Sequence, residues 1–262
     1  MAADMTIQLA EVGEVPALEQ CIQASKVSCS NCRLNSSCLP LVLESDKIMY
    51  LDDIIQHHKS IQKNQHLYQE GDEFRSVYIL RTGAIKAYRT TDAGLEQVTG
   101  FYFPSEVLGM DGICNNFHGS SAKSLEMATV CQIPFTSLEK LSTKMPNLQH
   151  YFFQLMSRQI KEGQQLITLL SKNSAEERVA SLMLSLSACN ARRKLSATRI
   201  RLPMSRADIG NYLGLSVETV SRTFTHLQKM GILRVYNKEI EVLDTAGLQN
   251  LAREFKPYEK CG

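Results

Sequence analysis

The sequence predicts an α+β fold in three parts: an N-terminal antiparallel β-roll of jelly-roll or cupin-like type, a long helix, and a C-terminal winged helix-turn-helix. Three observations carry this. Short β-prone runs ("SVYIL", "AIKAYRT", "QVTGFYF", "VCQIPF") recur across residues 65–135, separated by "EGDEF", "RTG", "TDAG" and "FPSE". Strands at such spacing, bounded by turn residues, build all-β sandwiches and barrels. Apolar residues at helical spacing then fill residues 137–171. Finally, "SRADIGNYLGLSVETVSRTFTHLQKMGIL" reads as two short helices around a tight turn, and "ILRVYNKEIEVLD" as a hairpin behind them. The 262 residues, 44% of them hydrophobic, suffice for two modest cores.

The first part, residues 1–46, is irregular. Within it "SCSNCRLNSSCLP" sets Cys29, Cys32 and Cys38 in the spacing C-x2-C-x5-C. The chain opens "MAADMTIQLAEVGEV", without a basic n-region or a long apolar core. No apolar run approaches the ~20 residues of a membrane span. A cytoplasmic protein with no membrane partner is therefore expected, in a compartment where disulfides rarely persist. Clustered cysteines there point to metal or redox chemistry. The spacing leaves three options open: an iron–sulfur cluster, a structural zinc site, and free thiols that respond to oxidants. Residues 20–43 contain no Asp or Glu but include Lys26 and Arg33. An anionic four-thiolate cluster favours such surroundings, and a short Ser/Asn-rich loop would shield it poorly, as suits a labile centre. Cys21, Cys114, Cys189 and Cys261 lack comparable placement and are expected to be incidental thiols.

A brief helix is predicted over 48–55, inside a β-roll unit assigned to 47–136. A dimerisation helix is assigned to 137–172. Its residues Leu148, Phe152, Leu155, Leu166 and Leu170 fall close to a heptad seam. Gln159, Glu162 and Gly163 interrupt that seam, and Glu162 is expected to meet its own copy across the dimer axis.

The last part, 173–262, has the clearest local logic. Ser174 and Glu177 form a capping box, Ser205 and Asp208 form another, and Ser216 caps the second helix. Gly214 suits the turn between the helices, where a positive φ is needed. Ile209 and Leu213, then Val220, Phe224 and Leu227, recur on inward faces. The outer face of the second helix carries Glu218, Ser221, Arg222 and Thr225. Glu can accept from cytosine N4, and Arg can bind guanine O6 and N7. Net charge is only +2, yet residues 176–239 hold eleven Lys/Arg against five Asp/Glu. This end of the chain is the expected partner of a polyanion, double-stranded DNA, with the second helix in a major groove.

The order β unit, long helix, winged helix-turn-helix resembles the CRP/FNR family of bacterial transcription regulators. The segments "IQKNQHLYQEGD", "ITLLSKNSAEERVA" and "IGNYLGLSVETVSR" are similar to its oxygen-sensing FNR branch. The resemblance implies a 4Fe-4S cluster held without oxygen by Cys29, Cys32, Cys38 and, from "TVCQIPF", Cys131. It implies a homodimer when the cluster is bound. Palindromic promoter DNA of TTGAT half-site type would be read by Glu218, Ser221 and Arg222. RNA polymerase would be contacted partly through "TDAGLEQ", where Leu95 replaces an acid of relatives. The wider family includes cyclic-nucleotide receptors, but no Arg occurs from residue 90 to 157 to clamp a cyclic phosphate. Glu106 alone would remain for a ribose, so no cyclic nucleotide is expected. Nor is an enzyme expected, because the chain shows no Gly-rich phosphate loop, no His/Cys dyad in context and no paired carboxylates in a cleft.

Overall fold

The computed structural model describes residues 28–34, 38 and 47–252, without the side chains of His57 and His58. Among the described residues of the N-terminal unit, α1 (Ile48–Ile54) follows the cysteine loop and leads into eight strands. These are β1 (Gln56–Ile61), β2 (His66–Tyr68), β3 (Ser76–Thr82), β4 (Ile85–Thr90), β5 (Glu96–Tyr102), β6 (Val107–Leu108), β7 (Ser121–Ser124) and β8 (Ala128–Pro134). They form two antiparallel four-stranded sheets, ordered β1-β8-β3-β6 and β2-β7-β4-β5. This is the expected β-roll.

Side chains alternate across each strand, and here both faces of the β1-β8-β3-β6 sheet are covered. Leu80 of β3 and Val130 of β8 point into the roll, against Ile85, Ala122 and Tyr68 of the other sheet. Their neighbours Ile79 and Cys131 point the opposite way, into a layer built with Leu51 of α1. Burial on both faces is why "SVYIL" reads as a continuous apolar run. The β3–β4 turn requires Gly83, with φ +83 and a Cβ position that would lie 2.5 Å from the Met127 carbonyl oxygen.

Two expectations about elements need correction. β1 was not anticipated, because "QHHKSI" is polar up to Ile61; it forms as an edge strand whose backbone pairs with β8. The helix expected over 137–171 is two helices, α2 (Phe135–Lys144) and α3 (Pro146–Lys172). Met145 between them is extended, with φ −128 and ψ 90. The ring of Pro146 disfavours the helical region for the residue before it, while proline itself suits the first helical position.

The C-terminal unit comprises α4 (Ala175–Arg192), β9 (Arg199–Arg201), α5 (Arg206–Leu213), α6 (Val217–Lys229), β10 (Leu233–Tyr236), β11 (Glu239–Val242) and α7 (Thr245–Ala252). Both expected capping boxes are present, at Ser174/Glu177 and Ser205/Asp208. Gly214 adopts φ +62 between α5 and α6. The Ser216 side chain accepts from the Thr219 amide at the start of α6. The wing hairpin turns at Asn237, φ +54, and gains an unforeseen third strand, β9, paired with β11. Ile209, Leu213, Val220, Phe224 and Leu227 all enter the core of this unit.

The unit docks on the β-roll along β5. Lys86 Nζ bridges Glu96 (2.7 Å) and Asp208 of α5 (2.9 Å). The Asn211 amide donates to the Glu96 carbonyl at 2.6 Å, and Val98 N–H donates to Asn211 Oδ1 at 2.5 Å. Among the described residues no helix is long and apolar enough to cross a membrane.

Candidate metal centre and nucleic-acid interface

Cys29, Cys32, Cys38 and Cys131 line one cavity. The first three are half-buried and Cys131 is buried. Cys131 arrives there through strand register, since it lies opposite Ile79 on β3 and opposite His58 on β1. Leu51, Ile55 and Ile79 supply apolar walls, and Arg81 supplies a cation. Ser28 opens a single 3-10 turn over Cys29–Asn31. Asp52 of α1 holds that turn, accepting from the Cys29 amide at 2.7 Å and from the Ser28 hydroxyl at 2.5 Å.

Burial pushes the Cys29 thiol well above its ordinary range, and Asp52, Cys131 and Cys38 add to the shift. The Cys131 thiol is pushed up to about 11, by burial first; Arg81 opposes the shift, while Cys32 and Asp52 reinforce it. These thiols therefore hold their protons at neutral pH unless a metal displaces them. Among the described residues, no group of three or more His, Cys, Asp or Glu side chains is placed to hold a metal ion as it stands. In donor type and number, four thiols around an apolar recess with one cation fit a four-thiolate iron–sulfur cluster.

Sequence reasoning missed Asp52 and Arg81. It also treated the cysteines as free of acids, because residues 20–43 contain none. The acid comes instead from α1, folded back onto the loop. No local pattern marks either residue: Asp52 sits in "YLDDII" and Arg81 in "YILRTG". Of the four thiols expected to be incidental, Cys114 is exposed and Cys189 is buried beside Glu106. Cys21 and Cys261 lie outside the described residues. Glu106, the residue considered for a ribose, accepts from the Phe103 amide at 2.9 Å and lies 3.7 Å from Arg192 of α4.

Most residues expected to form the dimer seam are covered within this chain. Leu148, Phe152 and Leu155 are buried in the layer that also contains Leu51 and Cys131. Leu166 packs on the core of the C-terminal unit. The uncovered apolar residues are Phe153, Ile160 and Ile167, at 57%, 64% and 70% exposure, each seven residues from the last. Gly163 shares their face, and a Cβ there would meet open space. Glu162 turns away from it. It is exposed to solvent on the opposite side of α3.

On α6, Glu218, Ser221, Arg222 and Thr225 are all exposed, opposite the buried Val220, Phe224 and Leu227. The backbone N–H at the helix start, the Ser216 hydroxyl and nearby Arg222 lower the pKa of Glu218, which keeps it an acceptor. The Ser221 hydroxyl donates back to the Val217 carbonyl at 2.9 Å. Arg206 of α5 stacks 3.7 Å over Phe224, bracing α6 from behind.

A β-roll carrying a winged helix-turn-helix with an open, polar recognition face defines a DNA-binding transcription regulator, not an enzyme. Residues 58–144 match the model of the cyclic nucleotide-binding domain, and residues 177–251 match that of the Crp-like helix-turn-helix domain. The chain belongs to the CRP/FNR family of transcription regulators. It is 45% identical over 224 residues to the transcriptional activator protein FnrA of Stutzerimonas stutzeri, covering 86% of this chain and 92% of the relative. It is 43% identical over 244 residues to the transcriptional activator protein anr of Pseudomonas aeruginosa, covering 93% and 98%. The solved structure of FixK2 from Bradyrhizobium japonicum is similar at a TM-score of 0.69 and 30% identity, covering 74% of this chain and 96% of that one.

Proposed function

We propose that this protein is an oxygen-responsive regulator of anaerobic metabolism that holds a 4Fe-4S cluster on Cys29, Cys32, Cys38 and Cys131. The observation that carries the reading is the convergence of these four thiols, from two distant parts of the chain, on one cavity. Membership of the family, and relatives of Aggregatibacter actinomycetemcomitans and Pasteurella multocida named "Anaerobic regulatory protein", support its anaerobic part. Residues 1–136 are the sensing part, 137–172 the coupling and dimerisation part, and 173–262 the DNA-binding part.

When bound, the cluster would supply four iron–thiolate bonds joining the cysteine loop to β8, and an oxygen-labile core. The chain's own residues pass that state on. Cys29, Cys38 and Cys131 share an apolar layer with Phe152, Leu155 and Tyr151 of α3. Cys38 is near enough to Tyr151 to raise the pKa of its hydroxyl, second only to burial. Tightening the loop therefore bears on the buried face of α3, whose opposite face carries Phe153, Ile160 and Ile167. Pairing along that stripe presents two copies of α6 to a palindrome, with Glu218, Ser221 and Arg222 at the base edges. A bistable helix pair needs only a few kcal/mol to change its population. The exposed β4–β5 turn, with Leu95 at its tip, is the proposed contact for RNA polymerase. Cyclic nucleotides play no part: the phosphate clamp is lacking and Glu106 is engaged elsewhere.

Protein isolated without air should show a broad iron–sulfur absorption and about four iron and four sulfide per chain. It should also shift a palindromic promoter fragment. Zinc in place of iron, or thiols without metal, would overturn the reading.

Two further results are expected. Arg222→Ala should cost roughly 1–3 kcal/mol on a cognate duplex and much less on a scrambled one at fixed salt. Equal losses on both would reduce Arg222 to a phosphate contact. Gly163→Ala should raise dimer content in the cluster-free protein, since alanine gains about 1 kcal/mol of helix propensity per chain and has room. Glu162→Ala should leave dimer content unchanged. Sedimentation of both variants in air decides the matter.

A further inference from the structure

Among the described residues, a carboxylate from outside the cysteine loop is bonded to that loop. Asp52 lies in α1, and its two bonds to Cys29 N–H and the Ser28 hydroxyl span 23 and 24 residues. The Ser28 side chain is itself committed to the turn, accepting from Ser30 N–H. Asp52 thus grips the loop at the residue where the turn starts and at the residue that offers the first thiol. It is also a charge. Its carboxylate sits against the backbone of the first cysteine, 2.7 Å from the Cys29 nitrogen. Arg81, on the β3 wall, brings a cation to the same cavity.

We propose that Asp52 is the positioning residue of the cysteine loop, and that its fixed negative charge, opposed by Arg81, sets the redox potential of the group the cysteines hold. The second half rests on the iron–sulfur reading; the tether does not. Four thiolates around an iron–sulfur core make an anionic site, and each electron gained adds negative charge. A carboxylate at its edge disfavours the more reduced state and lowers the potential. Were such a cluster held there, its loss of one electron to dioxygen, giving superoxide, would be correspondingly easier. Asp52 thereby makes the site more sensitive to oxygen, and Arg81 makes it less so.

The tether and the charge can be separated. Asp52→Asn keeps an oxygen for the Cys29 amide and turns the second bond around, its NH2 donating to the Ser28 hydroxyl, while the charge is lost. Asp52→Ala loses both. Hydrogen exchange of residues 28–34 is measured in the metal-free protein. Asp52→Ala should lose protection there, and Asp52→Asn should keep most of it. Unchanged protection in Asp52→Ala would overturn the tether. The potential and the rate of bleaching in air are then measured on anaerobically loaded protein. Asp52→Asn should bleach more slowly and have a higher potential, about 59 mV for each tenfold change in the one-electron equilibrium. Arg81→Gln should move both the other way. An unchanged or lowered potential in Asp52→Asn would overturn the charge role. If the parent protein takes up no iron–sulfur cluster, the functional reading fails and the potential half fails with it, while the exchange measurement still decides the tether.

Discussion

Cys131→Ser is expected to abolish cluster uptake as completely as Cys32→Ser, although the two positions lie in different parts of the chain. Each removes one of the four thiolates that would complete the site, and a serine hydroxyl at neutral pH is neither ionised nor soft enough to replace it. Iron and sulfide content after anaerobic reconstitution should fall to background in both variants. Cys114→Ser should retain the parent content, because Cys114 is exposed and does not line the cavity. Cys131 is buried on a central strand, so the variant must also be shown to be folded. Serine is nearly isosteric with cysteine, and the β8 ladder to β1 and β3 uses only backbone groups. Thermal unfolding of the metal-free protein should therefore drop only modestly. A normal cluster content in Cys131→Ser would remove it from the ligand set.

Ile160→Asp should leave a folded monomer that no longer binds a palindromic site, even with the cluster in place. Ile160 is 64% exposed midway along the Phe153–Ile167 stripe. Covering it in a dimer is worth about 1.5–3 kcal/mol per chain. The variant forfeits that twice and sets two like charges against each other. The dimer dissociation constant should rise at least about a hundredfold, as read by anaerobic sedimentation. Leu155→Asp is the informative contrast. Leu155 is buried in the layer behind the cysteines, so an aspartate there places an unpaired charge in the core and should destabilise the fold by more than about 3 kcal/mol. If Ile160→Asp stays dimeric while the folded chain is otherwise intact, the stripe is not the pairing surface.

These two helix positions show where sequence reasoning loses its hold. An amphipathic pattern on α3 was legible, and it contains two apolar stripes. One, through Leu148, Phe152 and Leu155, covers the outer face of the β1-β8-β3-β6 sheet. The other, through Phe153, Ile160 and Ile167, remains uncovered. A helix of 27 residues carries no internal sign of which stripe its own domain will claim. The break at Met145 could have been found, because the constraint of Pro146 on its neighbour is local. β1 could not: apart from Ile61 its residues are polar, and only the open edge of β8 makes a strand of them.

The two helices of the winged helix-turn-helix were legible almost residue by residue, though β9 and α7 were not. Both capping boxes, the positive φ at Gly214, the Ser216 cap and the inward set from Ile209 to Leu227 all rest on interactions within four residues or on helical period. The exposed face of Glu218, Ser221 and Arg222 follows as their complement. The sequence also determined the β-roll class, through turn chemistry, and the three clustered cysteines. Tertiary structure alone decided what surrounds those cysteines. Strand register brought Cys131 to the helix-facing side of β8, and the fold of α1 against the loop brought Asp52 to Cys29. β3 turned Arg81 to the same recess. None of these contacts is near in sequence, and none leaves a period or a motif. Each depends on which faces of which elements are left to pack once the local structure has formed, and local propensity does not encode that.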